Sequence, residues 1–226
     1  VLSKKVAAGA TDVVIDIPVG PTAKVRGAAA AETLAARLTR VGSGLGLNVT
    51  CLTTDGTGPV GRGIGPAPEA RDILAVLQRH PDAPADLADR AVALAAALLE
   101  IGGVAPAGEG AALARRRLDN GDAWRKFVAI CEAQGGLRQP PRAAQTHEVA
   151  AASAGRVSVL DNRSLARLAK LAGAPGNLAA GLTLAVRAGD RVERGQPLFR
   201  LHADSRGEIA YALDYWSRSP AFTVAD

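Results

Sequence analysis

The chain reads as an α/β protein: a partial mixed sheet with flanking helices over residues 10–142, followed by a smaller β-rich unit over 146–226. Three observations predict this. Two apolar runs, 13–19 and 48–53, are separated by a helical pattern, which is the layout of a βαβ unit. Each run is apolar almost throughout, as expected of strands covered on both faces. Beyond the glycine- and proline-bearing stretch 135–142, apolar residues recur in short segments punctuated by glycine.

The elements follow in order. A short helix carries Lys4-Lys5 and stops at Gly9, and the run Val13-Val14-Ile15-Asp16-Ile17-Pro18-Val19 is closed by Gly20. After Pro21-Thr22, Leu34, Leu38 and Val41 recur at helical spacing until Gly42–Gly46 ends the pattern. The second strand, 48–53, leads into a glycine loop, 56–65, and then a helix over 69–80. Pro81 to Pro84 breaks the chain, and helices are expected over 86–100 and 109–134, the latter interrupted at Asn120-Gly121. Pro140-Pro141 marks a linker. In the last part, 149–160 alternates, 165–172 is helical, and 181–186 and 198–202 read as strands. Residues 189–198 make a turn, a strand and a turn, and a helix over 207–216 ends the series.

Composition narrows the function. The chain has 226 residues and 48% hydrophobic content, but only 3 Phe, 2 Trp and 2 Tyr, so its core is built from small and branched aliphatics. The net charge is +5, and lysine stands only at 4, 5, 24, 126 and 170. Nucleic-acid binding would call for a basic patch interleaved with stacking aromatics, and the one dense run, Arg115-Arg116-Arg117, stands alone. Cys51 and Cys131 are too few for a disulfide framework or structural zinc and sit in apolar patterns. No apolar run approaches the roughly 18 residues of a membrane span. A protein of the cytoplasm, with no nucleic-acid or membrane partner, is the expectation.

Few residues offer chemistry. The glycine loop follows a strand and precedes a helix, so it is either a structural turn or a cradle presenting backbone N–H groups to an anion. It lacks the ending of a nucleotide P-loop and the spacing of a dinucleotide fingerprint. His80, His147 and His202 stand apart from carboxylates and cysteines at ligand spacing and are assigned no metal or general-base work. Asp16, between Ile15 and Ile17, is expected to bind a neighbouring loop. No catalytic nucleophile–base pair is visible.

The order Leu2-Ser3-Lys4-Lys5, a small-residue turn, an apolar-Asp-apolar strand and a closing glycine resembles the thymidine and pyrimidine-nucleoside phosphorylases. It is most similar to the long subgroup shared with AMP phosphorylases. The glycine loop, the segment Cys131-Glu132-Ala133-Gln134-Gly135-Gly136 and the glycine-turned tail extend the resemblance along the chain. It implies that residues 1–9 end a small helical domain, that 10–142 form an incomplete central α/β domain, and that 146–226 form an α/β-hammerhead, barrel-sandwich-like domain. The tail spacing Gly189-Asp190-x-Val192-x-x-Gly195-x-Pro197-Leu198 is also shared with biotinyl and lipoyl carriers, but no lysine follows Lys170 to be modified.

What the family implies is a pentosyltransferase that splits a nucleoside with inorganic phosphate, thymidine phosphorylase foremost, giving free base and pentose 1-phosphate. An AMP phosphorylase giving ribose 1,5-bisphosphate and a non-catalytic structural or oligomerisation module are the alternatives. By resemblance Lys4 contacts the base; Lys24 stands where short-form relatives carry an aromatic or apolar residue, and a lysine there could instead reach a 5′-phosphate. Main-chain carbonyls of Val60 and Gly63, with the Asp72 carboxylate, would hold a potassium ion, although the family carries Glu at the position of Asp72. No organic cofactor is implied. The absence of methionine and the mid-protein character of the first helix suggest the back portion of an enzyme that dimerises through its front half. Such a portion alone is expected to be inactive.

Overall fold

The computed structural model describes residues 1–225. Its helices are α1 (Leu2–Ala7), α2 (Ala28–Gly44), α3 (Pro66–Leu77), α4 (Ala85–Ile101), α5 (Gly110–Asp119), α6 (Asp122–Ala133), α7 (Asn162–Leu171) and α8 (Arg206–Arg218). The strands are β1 (Asp12–Val19), β2 (Asn48–Asp55), β3 (Gly63–Ile64), β4 (Gln145–Ala150), β5 (Gly155–Val157), β6 (Gly181–Leu184), β7 (Arg191–Val192), β8 (Pro197–Ala203) and β9 (Val224–Ala225). The fold is α/β, with small sheets, flanking helices and no closed barrel among the described residues. No helix of these residues is long and apolar enough to cross a membrane.

The chain divides into two compact units: Val1–Gly56 with Ala88–Phe127, and Thr57–Leu87 with Val128–Asp226. In the first, β1 and β2 pair in parallel from Asp12↔Asn48 to Val19↔Asp55, as the apolar runs require. Leu2 of α1, Val13, Leu47 and Val49 form its small core. Gly42 lets α2 approach β2 closely, because a Cβ there would lie 2.3 Å from Cγ2 of Val49. The break expected at Asn120-Gly121 separates α5 from α6, with Gly121 at φ 79°.

The second unit holds two antiparallel sheets, ordered β3-β6-β8-β4 and β7-β5-β9. Phe199, Leu165, Leu168, Leu182 and Leu201 are fully buried in its core. Trp216 packs edge-on to Phe199 at 4.8 Å and to Phe222 at 5.1 Å between centroids. Asp161 caps α7 by accepting from the amides of Arg163 and Ser164, and Ser205 with Glu208 forms a capping box on α8. These caps fix where each helix starts.

The compact units do not follow the linear boundaries 10–142 and 146–226 expected from the sequence. The reason is β3. Gly63 and Ile64, inside the glycine loop, pair with Thr183 and Leu182 of β6, so the loop and α3 join the sheet of the later residues. That crossing demands glycine: a Cβ on Gly63 would stand 2.3 Å from the Pro68 carbonyl carbon, a backbone atom that cannot step aside. Gly63→Ala is therefore expected to lower the stability of the second unit by about 2–4 kcal/mol. Gly44→Ala in α2, with open space around it, should be neutral or slightly stabilising. Denaturant midpoints of the two variants check this.

Candidate functional site

The glycine loop is shaped by carboxylates. Gly61 and Gly65 hold φ of 81° and 120°, which L side chains rarely adopt. Asp72 of α3 places one oxygen, Oδ2, where the amides of Arg62 and Gly63 both donate to it, at 2.6 and 2.7 Å. The amide of Gly65 donates to Glu69 Oε1 at 2.9 Å, and that of Gly61 to Asp86 Oδ2 at 3.1 Å. Helix α3 then begins with Pro66 at its first position, where no amide is needed, three residues earlier than the sequence pattern suggests.

This pattern decides between the two readings of the loop. The amides of Gly61, Arg62, Gly63 and Gly65 are already taken by carboxylates, so these four are not free to cradle a phosphate. Val60, Gly63 and Asp72, the three residues singled out for a cation, line one cavity of about 300 Å³, with Glu69, Pro59 and Asn162 around them. Gly63 faces Thr183 at a position where the Leu184 amide bonds the neighbouring Arg62 carbonyl at 2.8 Å. In an antiparallel ladder such a residue turns its own N–H and C=O away from the partner strand. The Gly63 amide does so, toward Asp72, and its carbonyl shares that edge. No group of three His, Cys, Asp or Glu suited to a metal occurs among the described residues, so an ion here would depend on main-chain oxygens. Carboxylate and carbonyl oxygens of this kind suit a hard cation.

Asp86 has a second partner. Both guanidinium nitrogens of Arg187 reach its carboxylate, at 2.5 and 2.8 Å, tying the loop to the residues after β6. Burial works against the Asp86 charge, but the Arg187 guanidinium and the Gly61 amide outweigh it and hold the carboxyl below the usual carboxylate range. Asp86 and Glu69 gave no signal in the sequence, because acidic residues in the first turn of a helix are ordinary partners of the helix dipole.

Lys4 and Lys24 belong to the first unit. Lys4 is exposed on α1, on the side away from the buried Leu2. Lys24 is exposed in a closed turn at the C-terminal end of β1, where Gly20 donates to the Val25 carbonyl at 3.1 Å and Val25 bridges to Val19. Asp16 binds an adjacent strand and a helix rather than a loop: it accepts from the Thr54 hydroxyl of β2 and pairs with Arg90 of α4 at 3.0 Å. Arg90 also donates to the Asp55 carbonyl at 2.6 Å, so one guanidinium links the middle of β1 to the end of β2. The structure thus brings Val60, Gly63 and Asp72 together and leaves the two lysines on separate elements.

Residues 156–219 match the pyrimidine nucleoside phosphorylase C-terminal domain. A protein of Chelativorans sp. (strain BNC1) named "Putative thymidine phosphorylase" is 63% identical over 219 residues, covering 97% of this chain and 43% of its own length. One of the same name from Polaromonas sp. (strain JS666 / ATCC BAA-500) is 61% identical over 224 residues, covering 99% of this chain and 44% of its own length. The chain belongs to the pyrimidine nucleoside phosphorylase family. The chain spans less than half the length of the curated relatives it matches.

The Asp86–Arg187 pair gives a pH test. Because the folded Asp86 carboxyl is depressed, its contribution to stability is present above the unfolded value near about 3.9 and is lost as pH falls through the folded one. Both side chains are partly exposed, at 31% and 46%, which screens the pair. Asp86→Asn should therefore cost about 1 kcal/mol at pH 7. Unfolding curves of variant and wild type should converge as the solution is acidified through the depressed range of the folded Asp86 carboxyl.

Proposed function

We propose that this chain supplies part of a nucleoside phosphorylase that splits the N-glycosidic bond with inorganic phosphate, thymidine being the leading substrate. The observation that carries the reading is the 63% identity, across 97% of the chain, to a relative bearing that name. The carboxylate-bound glycine loop agrees with it, since it offers oxygens at Val60, Gly63 and Asp72 rather than free amides.

In this reaction a phosphate oxygen attacks the anomeric carbon while the bond from that carbon to the base nitrogen breaks. The base leaves with the electron pair and takes a proton. In this reading the Lys4 ammonium sits beside a carbonyl of the base. It stabilises the departing anion more than the neutral bound nucleoside, and only such differential binding raises the rate. Val60, Gly63 and Asp72 would hold a potassium ion, which when bound supplies positive charge that stiffens the loop. A nucleotide such as AMP is the second reading, favoured by the exposed Lys24 at the end of β1, where ligands of open parallel sheets bind. The proposed setting is a cytoplasmic homodimer.

Phosphorolysis needs groups that grip the attacking phosphate, and the reading places them outside these residues. The 226-residue chain is expected to release no thymine from thymidine and phosphate, and no adenine from AMP. A protein extended to the length of the relatives should release base readily, and in it Lys4→Gln should lower kcat/KM by about 100-fold or more. Equal turnover by the short chain, or an unchanged Lys4→Gln protein, would overturn the assignment.

A further inference from the structure

The outer face of the sheet β3-β6-β8-β4 carries a convergence of cations that the glycine loop does not use. Phe199, Leu201 and Ala203 of β8 point into the core, so Arg200 and His202 occupy the opposite face. The register sets Thr183 of β6 on one side of Arg200 and Glu148 of β4 on the other. His202 lies one step along the same face, with Nε2 at 3.0 Å from the Thr183 hydroxyl. From α3, Arg71 donates to the carbonyl of Pro141, which fixes the linker residue beside Arg142.

These groups feel one another. Burial pushes the His202 imidazole below its ordinary range, and Arg71 and Arg200 push it further. Negative charge nearby is scarce. Glu148 is occupied by Arg200 at 2.8 Å, and Asp72, next to Arg71 on α3, is turned to the glycine-loop amides. Neither Arg71 nor Arg142 forms an ion pair among the described residues. Gathering like charges on one face is costly, and an oxyanion relieves that cost.

We propose that Arg71, Arg142, Arg200 and Thr183 form a binding site for a phosphate-type oxyanion, as free phosphate or as a phosphate monoester, separate from the glycine-loop cavity. Guanidinium groups present paired donors that match tetrahedral oxyanions, and the Thr183 hydroxyl adds a short-range donor. Binding is linked to His202: an anion beside it favours the imidazolium, so His202 takes up a proton more readily when the site is filled.

The chain has 3 histidines, which makes the test direct. The imidazole resonances are followed by proton NMR as inorganic phosphate is added, against sodium chloride of equal ionic strength. His202 should shift saturably and titrate at higher pH in phosphate, while His80 follows the chloride control. Ribose 5-phosphate in a parallel series distinguishes the sources: saturation by phosphate identifies the free anion, and saturation by the sugar ester alone identifies a monoester. Arg142→Gln, an exposed linker substitution, should weaken binding by about tenfold, and Arg71→Gln by at least as much. A His202 response no different from that in chloride for both anions, or variants that bind as tightly as wild type, would overturn the proposal.

Discussion

One carboxylate organises the glycine loop of this protein. Asp72 receives two consecutive amides, from Arg62 and Gly63, on a single oxygen. That bond turns the loop toward α3 and leaves the opposite edge of β3 to β6. Remove the bond, and neither the strand pairing nor the cavity around Val60 and Gly63 has a reason to persist. Glu69 and Asp86 repeat the device on either side, through Gly65 and Gly61. The loop is therefore held from its backbone by side chains on helices, the reverse of a cradle in which the backbone holds a ligand.

The two units rest on different physics. In the second, buried aliphatics and the aromatic group Phe199, Trp216 and Phe222 make a continuous core beneath capped helices. In the first, the largest buried cluster has only four residues, and Arg90 adds polar contacts to Asp16 of β1 and to Asp55 at the end of β2. Parallel pairs are normally covered on both faces and flanked by further strands. The shared reach with relatives of more than twice this length is in keeping with so spare a sheet.

Much of the local structure was legible in the residues. The apolar runs at 13–19 and 48–53 became β1 and β2, and Asn120-Gly121 broke the helical stretch, because local patterning decides such features. What escaped was non-local. A strand of two residues, Gly63 and Ile64, is too short to show alternation, and nothing in the spacing connects it to Leu182 and Thr183 more than a hundred residues on. The boundary near 142 follows composition, whereas compactness follows pairing across the chain. Val60, Gly63 and Asp72, the residues proposed to hold a cation, were singled out through family likeness, while Glu69, Asp86 and Arg187 looked like ordinary helix-end and turn charges.

A loop gripped through its peptide groups has an uneven tolerance for change. Side chains at Val60 and Arg62 play no part in the grip, so substitutions there leave the main-chain path intact. The acids on the helices have no such latitude, since shortening, lengthening or neutralising any of them strands an amide in a tight turn. Homologous proteins are thus expected to drift at positions 60 and 62 while retaining glycine at 61, 63 and 65 and oxygen acceptors on the two helices that follow.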